Sequence, residues 1–381
     1  MGEDASRDPR DLGQALAAAA KARLTARLTA QLLAGQPARD PVAVAERLLA
    51  VQGQDPRGAR LAIRARSRGL VAADVDRALT EERSLVITWL NRGTLHLVRS
   101  EDYPWLLALT APTQITGNMR RLGQEGVSPD DADRGVTVME RALAEEGPLT
   151  RDQLRERIAA AGVRTERQAL VHVLMRASLL GLAVRGPMVD GKHAFVLVRD
   201  WLGEPKPVDR DLALAELARR YLAGHGPASD RDLARWAGLP LRDARAGLKA
   251  IANELEEFPD GSGGGSPAAR AGGSRGSPTA GLVDLARRPP TAELPSPRLL
   301  GPYDPLLLGW TSRDDVLGPH QQLVTVNGLF RPFALVRGRA AAGWSMPGGE
   351  VEIEPFGRLR KADAAALDKE AQDVLRFFTI G

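Results

Sequence analysis

Apolar residues recur at helical spacing through most of the first 255 positions, which indicates a mainly α-helical N-terminal part. The segment QALAAAAKARLTARLTAQLLAG predicts a helix over residues 14–35 that ends at Gly35. The segment DPVAVAERLLAVQ predicts a second helix, with Asp40 as its N-cap and Pro41 in its first turn. Two helices are therefore expected before the pattern changes.

The next apolar stretch, SLVITWLNRGTLHLVR at residues 84–99, is rich in β-branched and aromatic residues. It is interrupted by Asn91, Arg92 and Gly93, and two short apolar runs around such a turn predict a β-hairpin. Helices followed by a hairpin are typical of a winged helix, which we predict for the first unit of the chain.

The same order of elements recurs further along the chain. GPLTRDQLRERIAAAG at residues 147–162 starts with a proline and a threonine cap, and a helical pattern and a hairpin pattern follow. GPASDRDLARWAG at residues 226–238 opens a third copy, in which Ser229 stands 79 positions after Thr150. Neighbouring prolines and leucines share this offset, which predicts three tandem winged-helix units. Chance similarity between short capped helices is the alternative interpretation.

The third hairpin is interrupted by a glycine- and serine-rich segment, residues 259–281, which is predicted to be a disordered loop. Beyond it, apolar and polar residues alternate around one Asn-Gly pair and one Arg-Gly pair, which predicts strands joined by turns. A last helix is predicted over residues 362–377. This end of the chain is therefore predicted to be a small β-rich domain of barrel-like form.

These patterns predict a mainly α fold with β structure, of the α+β class, in four parts. The parts are a first winged helix (1–122), a second (123–205), a third that contains the interrupted hairpin (206–290) and the C-terminal β-rich domain (291–381).

The composition excludes several classes of protein. Cysteine is absent, so disulfide bonds and thiolate chemistry are excluded. No run approaches the roughly 20 apolar residues that a membrane span needs. The polar N-terminus also lacks an apolar signal region. We therefore expect a cytoplasmic protein, associated with the nucleoid if it binds DNA, and no contact with membranes.

Positive charge is concentrated in one segment. The formal net charge of the chain is +4, and residues 52–99 alone carry nine arginines against five acidic residues. Concentrated positive charge suits a polyanion, most often nucleic acid.

Gln52 and Gln54 stand at the start of this basic segment, in the joint between two predicted helices. Pro56 disfavours helical backbone at Asp55, which fits the N-cap of the next helix. In extended backbone, residues i and i+2 point the same way. Both amides are therefore expected to converge on one spot.

The helix that follows places arginines on one face, at spacings of three and four residues: Arg57, Arg60 and Arg64. Such a strip fits contacts to successive phosphates of a nucleic acid. A solvated charged face is the alternative interpretation of the same pattern.

A glutamine amide does not titrate near neutrality and cannot act as a general base, but it can accept a hydrogen bond from water and aim that water. This suits a reaction whose leaving group departs readily. N7-alkylated guanine carries a positive charge and leaves as a neutral base, so positioning and electrostatic stabilisation of an oxocarbenium-like sugar can suffice. Two glutamines in a loop can equally be structural, and residue chemistry alone leaves both interpretations open.

Four ordered motifs change this balance: VQGQDPRGA, TWLNRGTLHLVRSEDYPWL, LLGPYDPLLLGW and GLFRPFALVRGR. Together they resemble the winged-helix DNA glycosylases of the AlkZ/YcaQ type along nearly the whole chain. The resemblance implies three winged helices and a β-domain that form a C-shaped channel for duplex DNA. It also implies excision of N-alkylated purines, including bulky adducts and crosslinks, without a metal or cofactor.

The resemblance assigns roles to the two glutamines. The catalytic Gln-x-Gln of the AlkZ-like branch matches Gln52 and Gln54, whereas the YcaQ-like branch has an acid in the second place. The middle residue is usually aliphatic and is Gly53 here, a departure that puts the aim of the pair in doubt. The family also uses a β-hairpin against the DNA, and the sequence does not identify which one.

We therefore predict a monofunctional DNA glycosylase for N7- or N3-alkylated purines in duplex DNA, acting as a monomer without metal or cofactor. The nearest lysines in sequence, Lys21 and Lys192, are far from the glutamines, so strand cleavage through a Schiff base is not expected. The predicted DNA contacts are Arg57, Arg60, Arg64, Arg92 and His96.

Alternatives remain open at this point. His96 can equally be a packed or surface residue of the first hairpin. The whole chain can also be a winged-helix DNA-binding protein without chemistry, either a regulator or a protein that sequesters damaged DNA. A glycosylase can serve self-resistance to a DNA-alkylating natural product or general base excision repair.

Overall fold

A computed structural model describes residues 9–204, 207–259, 281–288 and 293–379. Its helices are α1 (Pro9–Ala30), α2 (Pro41–Leu48), α3 (Pro56–Arg66), α4 (Ala72–Thr80), α5 (Tyr103–Gln124), α6 (Pro129–Glu146), α7 (Arg151–Ala160), α8 (Ala169–Leu179), α9 (Val198–Trp201), α10 (Arg210–His225), α11 (Asp230–Ala237), α12 (Leu241–Ala250), α13 (Asp314–Leu317) and α14 (Lys361–Thr379). Its strands are β1 (Val51–Gln52), β2 (Leu85–Leu90), β3 (Thr94–Arg99), β4 (Leu149–Thr150), β5 (Ala183–Val189), β6 (Lys192–Leu197), β7 (Leu255–Phe258), β8 (Leu282–Leu285), β9 (Arg298–Leu300), β10 (Phe333–Val336), β11 (Arg339–Ser345) and β12 (Glu352–Pro355). The fold is mixed α/β, and the helices dominate the first two thirds of the chain.

Capping contacts confirm the helix starts that flank the glutamines. Asp40 accepts a hydrogen bond from the backbone N–H of Ala43 at 2.7 Å where α2 begins. Asp55 accepts one from the backbone N–H of Gly58 at 2.7 Å where α3 begins. Each side chain satisfies an N–H that the helix leaves unpaired, so it sets the residue at which the helix starts.

Two of the repeated segments begin with the same contact. Thr150 before α7 and Ser229 before α11 each accept a hydrogen bond from a backbone N–H three residues on. The side chains at those positions, Gln153 and Asp232, accept in return from the backbone N–H of the cap residue. These reciprocal capping boxes support the predicted repeat of helix starts. That each unit is a winged helix stays a prediction.

α1 ends before the predicted Gly35. The helix stops at Ala30, and Leu32 adopts the left-handed φ of 57°. The chain turns there, with the N–H of Leu33 bonded to the carbonyl of Leu28 at 2.9 Å. The turn places Leu33 in the core, where it is 3% exposed, and this burial favours the early end of the helix.

The first two predicted hairpins are confirmed, and the structure joins them into one sheet. β2 pairs with β3 and β5 pairs with β6, in a six-stranded order β1-β3-β2-β5-β6-β4. The join is the antiparallel pairing of Ile87 in β2 with Arg185 in β5. The first two predicted units therefore share a sheet, which no local pattern indicated.

The strands on either side of the predicted loop form the third hairpin. Leu255 pairs with Leu285 and Phe258 pairs with Leu282, so β7 and β8 are antiparallel neighbours. The loop predicted over 259–281 lies, apart from its two end residues, outside the described residues.

The C-terminal strands form an open antiparallel sheet in the order β12-β11-β10-β9. Arg337 and Gly338, with φ of 52° and 80°, make the predicted turn between β10 and β11. The predicted barrel is wrong for the described residues, because the edge strands β12 and β9 do not pair. The predicted strand before β10 is also wrong: residues 321–331 form a short 3-10 helix and a turn closed by one bridge, Val324 with Phe330.

α14 confirms the predicted last helix over 362–377 and packs on one face of this sheet. The strand β10 alternates between two cores. Phe333 and Leu335 join a cluster with residues of α1 and α10, whereas Ala334 and Val336 join a cluster with α14. The C-terminal sheet is therefore packed against the N-terminal helix.

Candidate active site

Gln52 and Gln54 lie where the chain passes from α2 to α3. Gln52 belongs to β1 and pairs with His96 of β3. The N–H of Gly53 donates to the carbonyl of Leu95 at 2.7 Å. The backbone is therefore extended across the joint, as predicted, and successive side chains alternate in direction.

The two amides touch each other. The Nε2 of Gln52 donates a hydrogen bond to the Oε1 of Gln54 at 2.5 Å. Gln52 is only 5% exposed, whereas Gln54 is exposed. Within the described residues no other hydrogen bond engages these side chains, so the Oε1 of Gln52 remains as an acceptor and the Nε2 of Gln54 as a donor. An acceptor and a donor that remain on one bonded pair of amides can orient a water molecule.

Both amides line a pocket of about 330 Å³. Its other walls come from three distant parts of the chain. Arg92 and Thr94 belong to the β2–β3 hairpin, Arg235 belongs to α11, and Arg313 and Phe330 belong to the C-terminal part.

Three cations surround the pocket, and we call Arg92, Arg235 and Arg313 the arginine triplet. Burial lowers the pKa of Arg92 to about 10, and the charges of Arg235 and Arg313 are the next causes. Burial also lowers the pKa of Arg313, followed by the charge of Arg235. Among the described residues that line this pocket none is acidic, so the triplet favours an anionic ligand.

The end of α11 holds Arg92 in place. The Nη1 of Arg92 donates to the carbonyl oxygens of Trp236 and, at 3.3 Å, Arg235. The φ of Arg92 is 56°, a conformation that costs free energy in a residue other than glycine. Gly238, which caps α11, approaches so closely that a Cβ there would lie 2.7 Å from the backbone nitrogen of Arg92. The predicted site residue Arg92 is thus fixed at the pocket by long-range packing.

Arg313 is held on the opposite wall. Its guanidinium lies 5.1 Å from the centroid of the Phe330 ring, and its Nε donates to the carbonyl of Leu307 at 2.6 Å. A cation stacked on an aromatic ring and bonded through one edge keeps a defined direction. The sequence does not predict Arg235, Arg313 and Phe330 as site residues, because they lie far along the chain and no local pattern distinguishes them.

His96, a predicted DNA contact, does not line the pocket. It is 3% exposed, and its Nδ1 lies 2.9 Å from the carbonyl oxygen of Thr94. Burial lowers the pKa of His96 to about 3, with the charge of Arg92 as the second cause, so the ring is neutral at pH 7. The structure therefore supports the packed interpretation of His96.

The predicted exposed strip of arginines along α3 is wrong. Arg60 and Arg64 are 6% and 4% exposed. Arg60 pairs with Asp76 of α4, and Arg64 pairs with two carboxylates of α14 at 2.9 and 2.8 Å. These helices cover the face of α3 and neutralise both charges inside the protein, so neither side chain is well placed for phosphate. Arg57 stays exposed.

Asp304, the acidic residue of the motif LLGPYDPLLLGW, does not line the pocket. Its two carboxylate oxygens accept hydrogen bonds from Arg66 at 2.8 and 2.9 Å, and both side chains are 0% exposed. The charge of Asp304 is thus balanced by Arg66 of α3. In the described parts of the chain, no group of three or more histidine or acidic side chains is placed to hold a metal ion. In the same parts, no helix combines the length and apolar character required to cross a membrane.

Comparison with known proteins defines the class to which this fold and pocket belong. Residues 45–377 match the family described as DNA glycosylase AlkZ-like, which is most of the chain. The chain therefore belongs to the AlkZ-like family of DNA glycosylases, which are DNA repair enzymes that act on glycosyl bonds.

A sequence match and a structural match, both to DNA glycosylases of Streptomyces sahachiroi, agree with this membership. The chain is 29% identical over 360 residues to the interstrand DNA cross-link repair glycosylase, a match that covers 90% of this chain and 92% of that protein. The solved structure of the DNA glycosylase AlkZ is similar with a TM-score of 0.73 at 25% identity, over 94% of this chain and 96% of that one. The predicted family is confirmed, and the mixed α/β fold agrees with that of a solved relative.

Proposed function

We propose that this protein is a monofunctional glycosylase that hydrolyses the N-glycosidic bond of N7- or N3-alkylated purines in duplex DNA. The observation that carries the proposal is the position of the hydrogen-bonded amides of Gln52 and Gln54 in one pocket with the arginine triplet. Neutral amides beside fixed cations suit a reaction that needs an aimed water and a bound phosphate backbone. They do not suit one that needs a strong acid or base.

In this mechanism the Oε1 of Gln52 accepts a hydrogen bond from a water molecule and aims its oxygen at C1′. The bond between C1′ and the purine nitrogen breaks with both electrons leaving on the base, so the cationic base becomes neutral while the sugar becomes oxocarbenium-like. The water oxygen then bonds to C1′, and its proton passes to solvent because neither amide takes it up. The positive charge of the lesion makes stronger acid catalysis unnecessary.

The arginine triplet is proposed to hold the phosphates beside the damaged nucleotide. Three guanidinium groups repel a cationic purine, so they suit this pocket only when the DNA brings its phosphates with it. Phosphates held beside the sugar also favour the positive charge that develops there. We therefore assign phosphate contacts to the triplet in place of Arg60, Arg64 and His96.

The turn over residues 324–330 is a candidate for the element used against DNA, together with the β2–β3 hairpin that also lines the pocket. Asn327 and Gly328 of this turn line the pocket. Val326 and Leu329 are large apolar side chains that are 103% and 54% exposed. Exposed apolar side chains at such a tip serve as wedges between stacked bases. We propose that the turn separates the damaged nucleotide from its neighbours.

We also propose that the helix-and-hairpin units are three tandem winged helices around a channel for duplex DNA, in a protein that acts as a monomer. The three hairpins and the matching caps of α7 and α11 support the repeat. The limits of the four parts stay as expected from the sequence: 1–122, 123–205, 206–290 and 291–381. The name of the cross-link repair relative supports bulky or crosslinking lesions as substrates.

The proposal is tested on duplexes that each carry one lesion, with 7-methylguanine, 3-methyladenine and a bulky natural-product adduct as the panel. Alkali converts each abasic site into a strand break, and single-turnover rates are measured. Gln52→Ala is expected to lower the rate about 10²-fold, because a positioning group is lost. Gln52→Ala combined with Gln54→Ala is expected to reduce the rate to background.

Gln124→Ala is the matched control, since Gln124 is an exposed glutamine of α5 bound to Arg121 at 2.9 Å. It is expected to keep the wild-type rate. Strands examined before alkali should be intact, because no lysine is among the described residues that line the pocket. Full activity of the double variant would remove the amides from the mechanism. Tight binding across the panel without base release would favour a non-catalytic DNA-binding protein.

A further inference from the structure

A second basic groove lies at the start of α3. Gln54 lines the pocket, and the next residues, Asp55, Pro56 and Arg57, line a groove of about 650 Å³. The opposite wall of this groove is the β5–β6 hairpin, with Met188 near its turn. We call it the hairpin groove. The groove is a second concave surface, larger than the pocket, and among the described residues the two share no lining residue.

Arg185 of β5 lies in this groove. Its guanidinium is 5.0 Å from the ring centroid of Trp89 and 4.8 Å from that of Phe195. Its Nε is buried without a hydrogen-bond partner. In the described residues no carboxylate lies within 4.0 Å of this guanidinium. The two rings therefore hold a charged group whose polar edge is not satisfied within the protein.

Like charges reinforce the positive character of the groove. Burial lowers the pKa of Arg185 to about 10, and the charge of Arg151, at the start of α7, is the second cause. The guanidinium stays charged at pH 7. Burial also lowers the pKa of His193 to about 3, followed by the charges of Arg60 and Arg185, so this neighbour is neutral.

The acids of the groove do not compensate these charges. Asp76 pairs with Arg60, and Asp55 accepts the hydrogen bond that caps α3. Among the described residues, three lining cations have no carboxylate within 4.0 Å: Arg57, Arg151 and Arg185. Arg57 and Arg151 are exposed, whereas the Nε of Arg185 is removed from water without a partner or counter-charge, which is unfavourable. An anion that enters the groove offsets this cost.

We propose that the hairpin groove binds the phosphodiester backbone of DNA. Arg185 contacts one phosphate, and Arg57 and Arg151 contact its neighbours. Three cations from three elements match a chain of phosphates, whereas a single bound phosphate needs only one of them. The apolar side chains Met188 and Phe378 between them suit deoxyribose. This proposal rests on the proposed function, because it takes DNA as the polyanion.

The test is the salt dependence of binding to an undamaged duplex, measured by fluorescence anisotropy with the full chain. The logarithm of the binding constant falls linearly with the logarithm of the salt concentration, with a slope of about 0.9 per phosphate contact. Arg185→Gln is expected to reduce this slope by about 0.9, and Arg185→Gln with Arg151→Gln by about 1.8. Arg199→Gln is the control, since Arg199 pairs with Glu140 outside the groove, and its slope should equal that of the wild type.

Arg151 is exposed, so Arg151→Gln tests the groove even if a change at Arg185 disturbs folding. Equal slopes for wild type and Arg151→Gln would overturn the proposal, as would a wild type that does not bind undamaged duplex. Inorganic phosphate is also compared with chloride at equal ionic strength. If Arg185→Gln changes the slope in chloride but not in phosphate, the groove is a site for a free anion. That result would overturn the assignment to a strand.

The outcome of this binding test is independent of the outcome of the lesion assays, because undamaged DNA offers no base to release. A protein that releases no base but shows the change of slope would contradict the proposed function and support the groove. A protein that releases bases but shows no change of slope would do the reverse.

Discussion

A side-chain amide orients other groups through its hydrogen bonds, and the surroundings of Gln52 and Gln54 define the directions of those bonds. Strand pairing with His96 holds the backbone of Gln52, and the hydrogen bond to Gln54 holds its amide. One member of the pair is buried and the other is exposed, so a rigid group positions an accessible one. Such a pair costs little to preorganise, which is the property that the proposed chemistry requires.

Gly53→Ala tests whether the glycine in this joint weakens it. A Cβ at Gly53 would lie 3.5 Å from the Cγ2 of Ile87 and 3.6 Å from the nitrogen of Leu97, which are ordinary contacts. Because alanine restricts the unfolded chain, the free energy of unfolding is expected to rise by about 0.4–1 kcal/mol. The single-turnover rate is expected to be equal or higher. Urea denaturation and the excision assay measure the two effects.

The contrasting control is Gly58→Ala, because a Cβ at Gly58 would lie 2.5 Å from the carbonyl oxygen of Pro302. That variant should be less stable than the wild type. A slower rate in a stabilised Gly53→Ala would show instead that the reaction needs the mobility of glycine.

Three histidines predict loss of stability in acid. Burial lowers the pKa of His96, His193 and His225 to about 3, from 6.5 in an exposed histidine. Between pH 6.5 and pH 3 the unfolded chain therefore binds more protons than the native one. Each histidine should remove about 1.4 kcal/mol of stability for each pH unit below 6.5, and nothing above it.

Urea unfolding at pH 7, 6 and 5 measures this dependence. His96→Asn is expected to lose part of the slope, because one proton-binding group is removed from the unfolded state. An unchanged slope in that variant would mean that His96 is not held neutral in the native protein.

The helix α3 is tied to the rest of the molecule by buried charges. Arg60 reaches α4, Arg64 reaches α14, and Arg66 reaches Asp304. Buried ion pairs add little net stability, but they tolerate few alternative arrangements of the elements that they join. They orient α3, and through its first turn they orient the joint that carries the two amides.

Asp304→Ala tests this structural role. The change leaves Arg66, whose side chain is 0% exposed, without its counter-charge. The free energy of unfolding is expected to fall by about 3–5 kcal/mol, the usual effect of breaking a buried pair. Asp152→Ala, which removes an exposed partner of Lys192, should leave it nearly unchanged. Chemical denaturation measures both.

The excision rate of folded Asp304→Ala should stay near that of the wild type, because Asp304 does not line the pocket. Unchanged stability with a large loss of rate would instead assign the carboxylate a direct effect on the sugar.

The pocket depends on the whole chain, because distant segments share one core. Leu24 of α1, Tyr221 of α10, and Trp310 and Phe333 of the C-terminal part belong to a single buried cluster. The wall that carries Arg313 is therefore positioned by contacts with the N-terminal helix and α10. A substitution in this core, at either end of the chain, should therefore shift the side chains that line the pocket.

A chain that ends at residue 288 is expected to lose cooperative folding. It lacks Trp310 and Phe333, so apolar residues of α1 and α10 that pack against them are exposed to water. Near-ultraviolet circular dichroism and urea denaturation should show weak tertiary signal and a broad transition in the fragment. The full chain should show a steep one. A sharp two-state transition in the fragment would contradict the shared core.

The sequence predicted much of the fold where neighbouring residues decide it. Asp40, Asp55, Thr150 and Ser229 start their helices as expected, since a cap depends on a side chain and an N–H a few residues away. The hairpin around Arg92 was predicted for the same reason. The prediction of a C-terminal barrel was wrong, because closure of a sheet depends on which edge strands pair.

Residues 40–56 therefore carry enough local information to specify two helices, an extended joint and a pair of converging amides, and the motifs around them specify the family. The same residues do not specify which charges remain free. Arg60 and Arg64 are neutralised by α4 and α14, and Arg235 and Arg313 reach the pocket, through contacts between segments far apart in the chain. Burial and ion pairing are properties of the packed molecule, and the spacing of residues along the chain does not determine them.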